Sequence, residues 1–326
     1  MSKAILWLVA IFLVGAVEIV DAQQPKKVIR IGFLTGGVAA SVRGNLEAFR
    51  VGLHELGYVE AKDFVLEPRY AEGKVDRLPE LASELVRLKV DVILVGGTEP
   101  TVAAKQATST IPIIVGGAGD LVRTGLVASL ARPGGNITGS TRMSPDLSRK
   151  RIELLKEAAP KTSRVAVILS TTTLLDKDEL REMESEARNL AVKIQSIDVR
   201  DPNEFQSASA AMVRERADAV IILQGAFTGS HRRELTELAA NRRLPSMCET
   251  GNWTADGCLM SYGPDLVYLY RRAAIFVDKV IKGAKTGDLP VEQPMKFEFV
   301  INLKTAKQIG LTIPPNVLAR ADKVIK

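Results

Sequence analysis

The clearest indication of architecture in this chain is the segment Ile113-Ile114-Val115-Gly116-Gly117-Ala118-Gly119-Asp120, where a β-branched apolar run stops on glycines and small residues. The same pattern recurs at residues 31–37, 92–98, 165–173 and 220–225. Short apolar runs that end this way and alternate with helical patterns are typical of βα units of a parallel sheet. Ligands bind at the carboxyl ends of such strands, because backbone amides and helix N-termini converge there. The pattern predicts a protein that holds a small molecule without altering it.

The order of the patterns predicts two successive domains, and a length of 326 residues with 46% apolar side chains is sufficient for two cores. Strands of the first are expected at 28–35, 63–70, 91–96, 112–116 and 136–139, with helices at 41–57, 77–89, 99–108 and 121–131. The second has a helix at 146–159, strands at 164–169, 192–198, 218–223, 245–248 and 258–262, and helices at 174–190, 203–216 and 230–243. A helix at 265–283, a strand at 296–301 and a helix at 303–309 indicate that the chain crosses back between the domains. The expected fold class is α/β, with two successive parallel-sheet domains built from βα units.

The first 22 residues have the composition of a secretory signal peptide. Lys3 is followed by an apolar stretch at 4–17, and small residues precede a cleavage point between Ala22 and Gln23. An uncleaved anchor helix is the alternative, but the apolar stretch is shorter than the roughly 20 residues that span a bilayer. No cysteine lies near the cleavage point, so a lipoprotein anchor is not supported. We expect a soluble protein exported to the periplasm.

Several functional classes are not supported by the composition and motifs. The formal charge of +6 is spread along the helices without a basic stripe, so we expect no nucleic-acid partner. Dinucleotide, P-loop and nucleophile-elbow motifs do not occur, and no acid or cysteine cluster at metal-ligand spacing accompanies His54 or His231. We therefore expect no catalytic residue, metal or cofactor. An exported α/β enzyme with an unrecognised site and a sensory module for a membrane receptor are the alternatives.

The chain has two cysteines, Cys248 and Cys258. If they lie on neighbouring parallel strands, one is near the top of its strand and the other at the bottom of the next. The resulting Cα separation exceeds the roughly 7 Å that a disulfide can bridge. Although an exported protein is in an oxidising compartment, the sequence predicts two buried, inert thiols.

The candidate ligand-binding residues lie at or beside predicted strand ends or at a chain crossing: Thr35, Gly36, Gly97, Thr98, Asp120, Ser170, Thr171, Gln224, Glu249 and Tyr262. Gly97-Thr98 precedes a helix, whose free amides and positive dipole end suit a ligand carboxylate. The same reasoning applies to Thr35-Gly36 and Ser170-Thr171, and the alternative is that the hydroxyls only cap helices. Asp120 could pair with a ligand ammonium group or cap the following helix. Gln224, Glu249 and Tyr262 have polar ends that could orient a ligand.

Longer stretches of the sequence carry a family resemblance, among them Ala131-Arg132-Pro133-Gly134-Gly135-Asn136-Ile137-Thr138-Gly139 and Met260-Ser261-Tyr262-Gly263-Pro264. Further matching stretches are at 30–34, 52–58, 76–82, 90–93 and 301–311. Together they resemble the ABC-transporter substrate-binding proteins of the tryptophan/tyrosine type across the whole mature chain. Departures from the family pattern occur at Cys248, Cys258 and Thr250-Gly251, beside a strand end that faces the cleft.

The resemblance implies the type I periplasmic-binding-protein fold, in which two doubly wound, Rossmann-like parallel-sheet lobes joined by three crossings enclose a ligand in the cleft between them. The implied lobes are 28–139 plus 263–293 and 140–262 plus 294–326, with crossings near 138–141, 262–264 and 290–295. The implied ligand is a small organic molecule, amino-acid-like and with an aromatic side chain as one option. The implied partners are an ABC permease and its ATPase, and a monomer is the default state.

Overall fold

The computed structural model of this chain describes residues 27–170 and 174–326. The predicted signal peptide (1–22) and Thr171 lie outside the described residues. In the described ranges, each helix is too short or too polar to cross a membrane.

The first sheet is parallel, with strand order β2-β1-β3-β4-β5. Its strands are β1 (Ile29–Thr35), β2 (Phe64–Tyr70), β3 (Val92–Gly96), β4 (Ile113–Ala118) and β5 (Ile137–Thr141). Its connecting helices are α1 (Ala39–Glu55), α2 (Leu78–Arg87) and α3 (Thr98–Ala107). Leu46, Phe49 and Leu53 are buried at helical spacing along α1, because this apolar stripe packs toward the sheet. The part of the molecule built on this sheet is called the N-terminal lobe below.

The predicted helix at 121–131 is wrong, because turns replace it. The Asp120 carboxylate accepts hydrogen bonds from the N–H groups of Val122 and Arg123, which starts a single turn. Gly125 then has a φ of +67°, in the left-handed region that ends a helix. Leu121, Leu126 and Val127 are buried in the core although the segment is not helical, so their apolar spacing has another origin.

The second sheet has the order β12-β11-β10-β9-β8-β6-β7, in which only the β10–β11 pair is antiparallel within the described residues. Its strands are β6 (Arg164–Leu169), β7 (Lys193–Asp198), β8 (Ala219–Ile222), β9 (Ser246–Cys248), β10 (Met260–Pro264), β11 (Phe297–Asn302) and β12 (Lys323–Ile325). The helices before β10 are α4 (Ser144–Ala158), α5 (Leu174–Asn189), α6 (Phe205–Arg214), α7 (Ala226–Ser230), α8 (Arg232–Asn241) and α9 (Gly251–Ala255). The part built on this sheet is called the C-terminal lobe.

Three more helices follow β10: α10 (Leu266–Ile281), α11 (Leu303–Ile309) and α12 (Pro315–Leu318). Helix α10 begins at Asp265, whose carboxylate accepts hydrogen bonds from the N–H groups of Val267 and Tyr268. It packs against α1, so the chain returns to the N-terminal lobe after β10. The chain then enters the second sheet again as β11.

The central strands are buried on both faces, which explains their unbroken apolar runs. Ile31, Phe33 and Leu34 in β1 have no exposed surface, and residues 165–168 of β6 are equally inaccessible. A parallel sheet covered by helices on both sides requires this composition. The apolar runs from which the sequence predicted an α/β fold are therefore the strands at the centre of the two cores.

The prediction of free thiols is wrong, because Cys248 and Cys258 form a disulfide with a Cα separation of 6.6 Å. The predicted distance assumed that Cys258 lies on an extended strand. Instead it precedes β10, and its N–H donates to the carbonyl of Trp253 as the chain leaves α9. This turn brings Cys258 toward the end of β9 and within bridging distance.

Two of the segments that connect the lobes are hydrogen-bonded to each other. The Thr141 N–H donates to the carbonyl of Glu292, and the Glu292 N–H donates to the carbonyl of Gly139. The passage from β5 to α4 therefore lies beside the passage from α10 to β11. Nearby, the Arg151 Nε donates to the carbonyl of Tyr262 in β10.

Candidate functional site

A cleft lies between the lobes and is lined by residues of both. The N-terminal lobe and α10 contribute Thr35, Gly36, Gly37, Ser41, Val42, Asn45, Gly96, Gly97, Glu99, Pro100, Gly117, Leu266 and Tyr270. The C-terminal side contributes Gln224, Gly225, Ala226, Gly229, Arg232 and Asn252, and Arg142 lies at the passage between the lobes. The carboxyl ends of β1, β3 and β4 thus face the segment after β8, as expected for a ligand site in α/β sheets.

The two walls of the cleft are in direct contact. The N–H of Ala226 in α7 donates to Glu99 Oε1 at the start of α3, with N···O 3.2 Å. Arg232 Nη1 donates to the carbonyl of Ser41 at 3.3 Å. A Cβ atom built on Gly36 would lie 2.3 Å from the Cβ of Ala226, so only glycine allows this approach. The structure therefore has the lobes closed on each other.

Thr35, Gly36 and Gly97 line the N-terminal wall of the cleft, at the ends of β1 and β3. The Thr35 hydroxyl accepts a hydrogen bond from the N–H of Gly37, which shapes the turn after β1. Gly97 directly precedes α3, so the first amides of that helix border the cleft. Sequence reasoning placed these three residues at the wall on which the structure has them.

Thr98 and Asp120 are not among the described residues that line the cleft. The buried Thr98 hydroxyl accepts a hydrogen bond from the N–H of Gly119, and so supports the neighbouring strand end. Asp120 caps the turn described above and pairs with Arg123 at 3.3 Å. Both side chains shape the wall from behind.

On the C-terminal wall, Gln224 lines the cleft and Glu249 lies behind it. The Gln224 N–H donates to Glu249 Oε1 at 2.7 Å, so the two strand ends are joined. The Gln224 side-chain oxygen accepts hydrogen bonds from the Thr250 hydroxyl at 3.0 Å and from the indole of Trp253 at 3.4 Å. These contacts hold the Gln224 amide in one orientation.

Ser170 and Tyr262 are likewise not among the described cleft-lining residues. Ser170 is buried at the end of β6, directly before the segment that contains Thr171. The Tyr262 ring packs on Phe297 of the neighbouring strand, with 6.1 Å between the centroids. Its backbone carbonyl accepts a hydrogen bond from Arg151 Nε at 2.9 Å.

Three important cleft residues were not predicted from the sequence: Glu99, Arg142 and Tyr270. Glu99 had a detectable signal, because it is an acid in the first turn of a helix that follows a strand end. Arg142 and Tyr270 had none, since one follows an ordinary strand and the other lies within a long apolar helix.

Tyr270 enters the cleft from α10, far along the chain from the strands that it contacts. Its hydroxyl would lie 2.0 Å from a Cβ atom at position 96, so the glycine there makes room for the ring. Burial raises the pKa of Tyr270 well above its ordinary range, and the nearby Arg142 lowers it in part. The phenol is therefore a neutral hydrogen-bonding group at physiological pH.

A buried charge cluster lies between the cleft and the passage from β5 to α4. Glu249 Oε2 is 3.5 Å from Arg142 Nη1 and 3.5 Å from Arg151 Nη2. Arg151 Nη1 in turn lies 3.9 Å from Glu179 Oε2. These side chains are almost inaccessible, and buried charges of this kind are stable only when paired.

No group of His, Cys, Asp and Glu side chains in the described part of the chain is arranged to hold a metal ion.

A family model described as ABC transporter substrate binding protein matches residues 39–325. The chain belongs to this family. The family resemblance seen in the sequence is confirmed, and this family consists of substrate-binding proteins of ABC transporters rather than of enzymes.

Relatives with solved structures or curated descriptions support the same assignment. The substrate-binding protein is 26% identical over 266 residues to the tyrosine-binding protein of Clostridioides difficile, covering 81% of this chain and 76% of that protein. A structure from Streptococcus pneumoniae in complex with L-Trp has a TM-score of 0.84 at 25% identity, covering 92% of this chain and all of that one. A conserved domain protein from Vibrio cholerae has a TM-score of 0.85 at 25% identity, covering 91% of this chain and 100% of that one. The type I periplasmic-binding-protein fold predicted from the sequence is confirmed.

Proposed function

We propose that this protein is the exported solute-binding component of an ABC importer and captures a small amino-acid-like ligand between its lobes. The observation that supports this most directly is the cleft itself, where an N–H group of one lobe binds a carboxylate of the other. A ligand that contacts both walls stabilises the closed state over the open one. The closed protein would then dock on the permease and its ATPase.

The proposed ligand class follows from the relatives and from the groups in the cleft. One relative is described as tyrosine-binding and another has a structure with L-Trp. In this chain Tyr270, Leu266 and Pro100 offer ring and aliphatic surface, while Gln224 and the amides near Gly97 offer hydrogen bonds. An apolar wall with a few oriented polar groups suits an aromatic amino acid.

Within this proposal, Thr35, Gly36, Gly97 and Gln224 contact the ligand. The proposed lobes are 28–139 plus 263–293 and 140–262 plus 294–326, and the lobes rotate at the crossings near 138–141, 262–264 and 290–295. The hydrogen bonds that Glu292 makes with Thr141 and Gly139 support this arrangement, because two adjacent connecting segments can bend together. We propose that the protein acts as a monomer.

A binding screen combined with solution scattering tests the function. Amino acids, nucleosides and small organic acids are titrated by calorimetry, and the radius of gyration is measured with each compound that binds. We expect an aromatic amino acid to bind and the radius to fall. Absence of both binding and compaction across the panel would refute the proposal.

A pair of variants tests whether the inter-lobe contact contributes to capture. Glu99→Ala removes the acceptor for the Ala226 N–H and should weaken binding about tenfold or more, the range for a hydrogen bond to a charged group. Glu80→Ala removes an exposed acid from the first turn of α2 in the same lobe and should leave affinity unchanged. Equal affinities of the two variants would show that the contact is incidental.

Export is tested separately by sequencing the N-terminus of the protein recovered from the periplasm. Cleavage by signal peptidase should leave Gln23 as the first residue. A protein that stays in the membrane fraction with residues 1–22 attached would support the anchor alternative instead.

A further inference from the structure

Arg142 is a buried cation that lines the ligand cleft. It directly follows β5, at the passage between the lobes, and only 5% of its surface is exposed. Its side chain runs beside Gly117 and influences the ionisation of Tyr270, and all three residues line the same cleft. Neither the sequence pattern nor the strand position pointed to Arg142 as a site residue.

The hydrogen-bonding capacity of Arg142 is largely unused. Its Nε and Nη1 atoms are buried and make no hydrogen bond within the described residues. Nη1 lies 3.5 Å from Glu249 Oε2, but that oxygen is at the same distance from Arg151. The other Glu249 oxygen accepts the Gln224 N–H. Glu249 therefore balances the charge of Arg142 without satisfying its donors.

We propose that Arg142 binds the carboxylate of the transported ligand, an inference that rests on the proposed function and specifies its substrate class. A guanidinium presents N–H donors in a planar fork that matches the two oxygens of a carboxylate. Buried donors that lack partners are unfavourable, and an anion in the cleft removes this penalty. The ligand is then one that carries a carboxylate.

The other cationic side chain among the described cleft-lining residues is already engaged. Arg232 lies 2.8 Å from Asp256 Oδ2, and it also donates to the carbonyls of Ser41 and Gly229. Arg232 therefore holds the rim of the cleft together. Arg142 is therefore the cleft-lining cation whose donors are left for an anion, and Arg232 is the arginine with which its role can be compared.

Ligand pairs that differ only in the carboxylate test this assignment on the intact protein. The probes are L-tryptophan with L-tryptophanamide and L-tyrosine with L-tyrosinamide, titrated by calorimetry. For the wild type we expect each amide to bind at least about tenfold more weakly than its acid, the range for hydrogen bonds to charged groups. In Arg142→Gln the two members of a pair should bind equally, because the discriminating group is gone.

Control variants separate recognition from folding. Arg142→Lys keeps the charge but loses the planar fork, so it should recover part of the acid preference. Arg232→Gln loosens the rim of the cleft and should weaken the binding of acid and amide to the same extent, so that their ratio stays at the wild-type value. Circular dichroism melts report whether each variant is folded. If Arg142→Gln does not fold, the wild-type acid-to-amide ratio together with Arg142→Lys still decides the question.

The outcomes distinguish this inference from the proposed function. Wild-type protein that binds acid and amide equally, or whose tightest ligand in the screen is an uncharged nucleoside, would overturn the role of Arg142 and leave solute capture intact. An Arg142→Gln variant that keeps the acid preference would also overturn it. Wild-type protein that binds no member of the panel would refute the proposed function itself.

Discussion

A methyl group at position 36 should prevent the lobes from closing. In the closed structure, a Cβ atom on Gly36 would lie 2.3 Å from the Cβ of Ala226 on the opposite wall. Carbon atoms in contact are normally about 3.5–4.0 Å apart, so the walls must separate by more than about 1 Å at this point. Overpacking of this size costs about 1–3 kcal/mol, and Gly36→Ala should therefore weaken ligand binding about 5- to 150-fold.

The assay combines calorimetry with the radius of gyration at saturating ligand. Gly36→Ala should bind weakly and remain expanded, while its melting temperature without ligand stays at the wild-type value, since the contact is between lobes. The double variant Gly36→Ala/Ala226→Gly should recover compaction, because it removes the opposing methyl group. Gly229→Ala is a matched control, since Gly229 also lines the cleft but has no atom within 4 Å of an added Cβ. Wild-type affinity and compaction in Gly36→Ala would refute the reasoning.

Three further predictions concern stability. Replacing both Cys248 and Cys258 by serine should lower the free energy of unfolding by about 3 kcal/mol, the loop-closure value for a ring of this size, as measured by urea unfolding with and without reductant. Burial and the hydrogen bond to Asp278 raise the pKa of Tyr58 from 10.0 to about 12. The contribution of Tyr58 to the free energy of unfolding should therefore be complete below pH 10 and be lost as the pH rises toward 12. When the free energy of unfolding is measured with urea across this range, it should depend less on pH in Tyr58→Phe than in the wild type. Asp265→Ala removes the cap of α10 and should cost about 1 kcal/mol, with a lower melting temperature as the measurement.

Most strands and helices could be predicted because their causes are local. Strand β6 begins and ends at the predicted residues, since a strand buried on both faces needs an unbroken apolar run and stops where that run stops. The failure at 121–131 has the opposite cause. Buried Leu121, Leu126 and Val127 make the segment as apolar as a core helix, whereas the left-handed Gly125 and the cap at Asp120 produce turns.

The candidate site was predicted in part, for a related reason. Thr35, Gly36, Gly97 and Gln224 line the cleft because strand ends of a parallel sheet all lie at one edge. Which way a side chain points at that edge is not encoded in the strand pattern, and Tyr262 packs on a neighbouring strand instead. The disulfide was missed because the path of the chain between α9 and β10 was taken as extended.

The order of apolar runs and glycine-rich ends was thus enough to predict two parallel-sheet domains and the sheet edge that borders the cleft, because these depend on spacing along the chain. The family motifs were enough to establish the class of protein. Tertiary structure decided that Tyr270 enters the cleft from α10, that Arg142 is buried with unsatisfied donors, and that Gly36 meets Ala226 across the cleft. Each of these contacts joins residues far apart in the chain, so it exists only once both lobes have folded and closed.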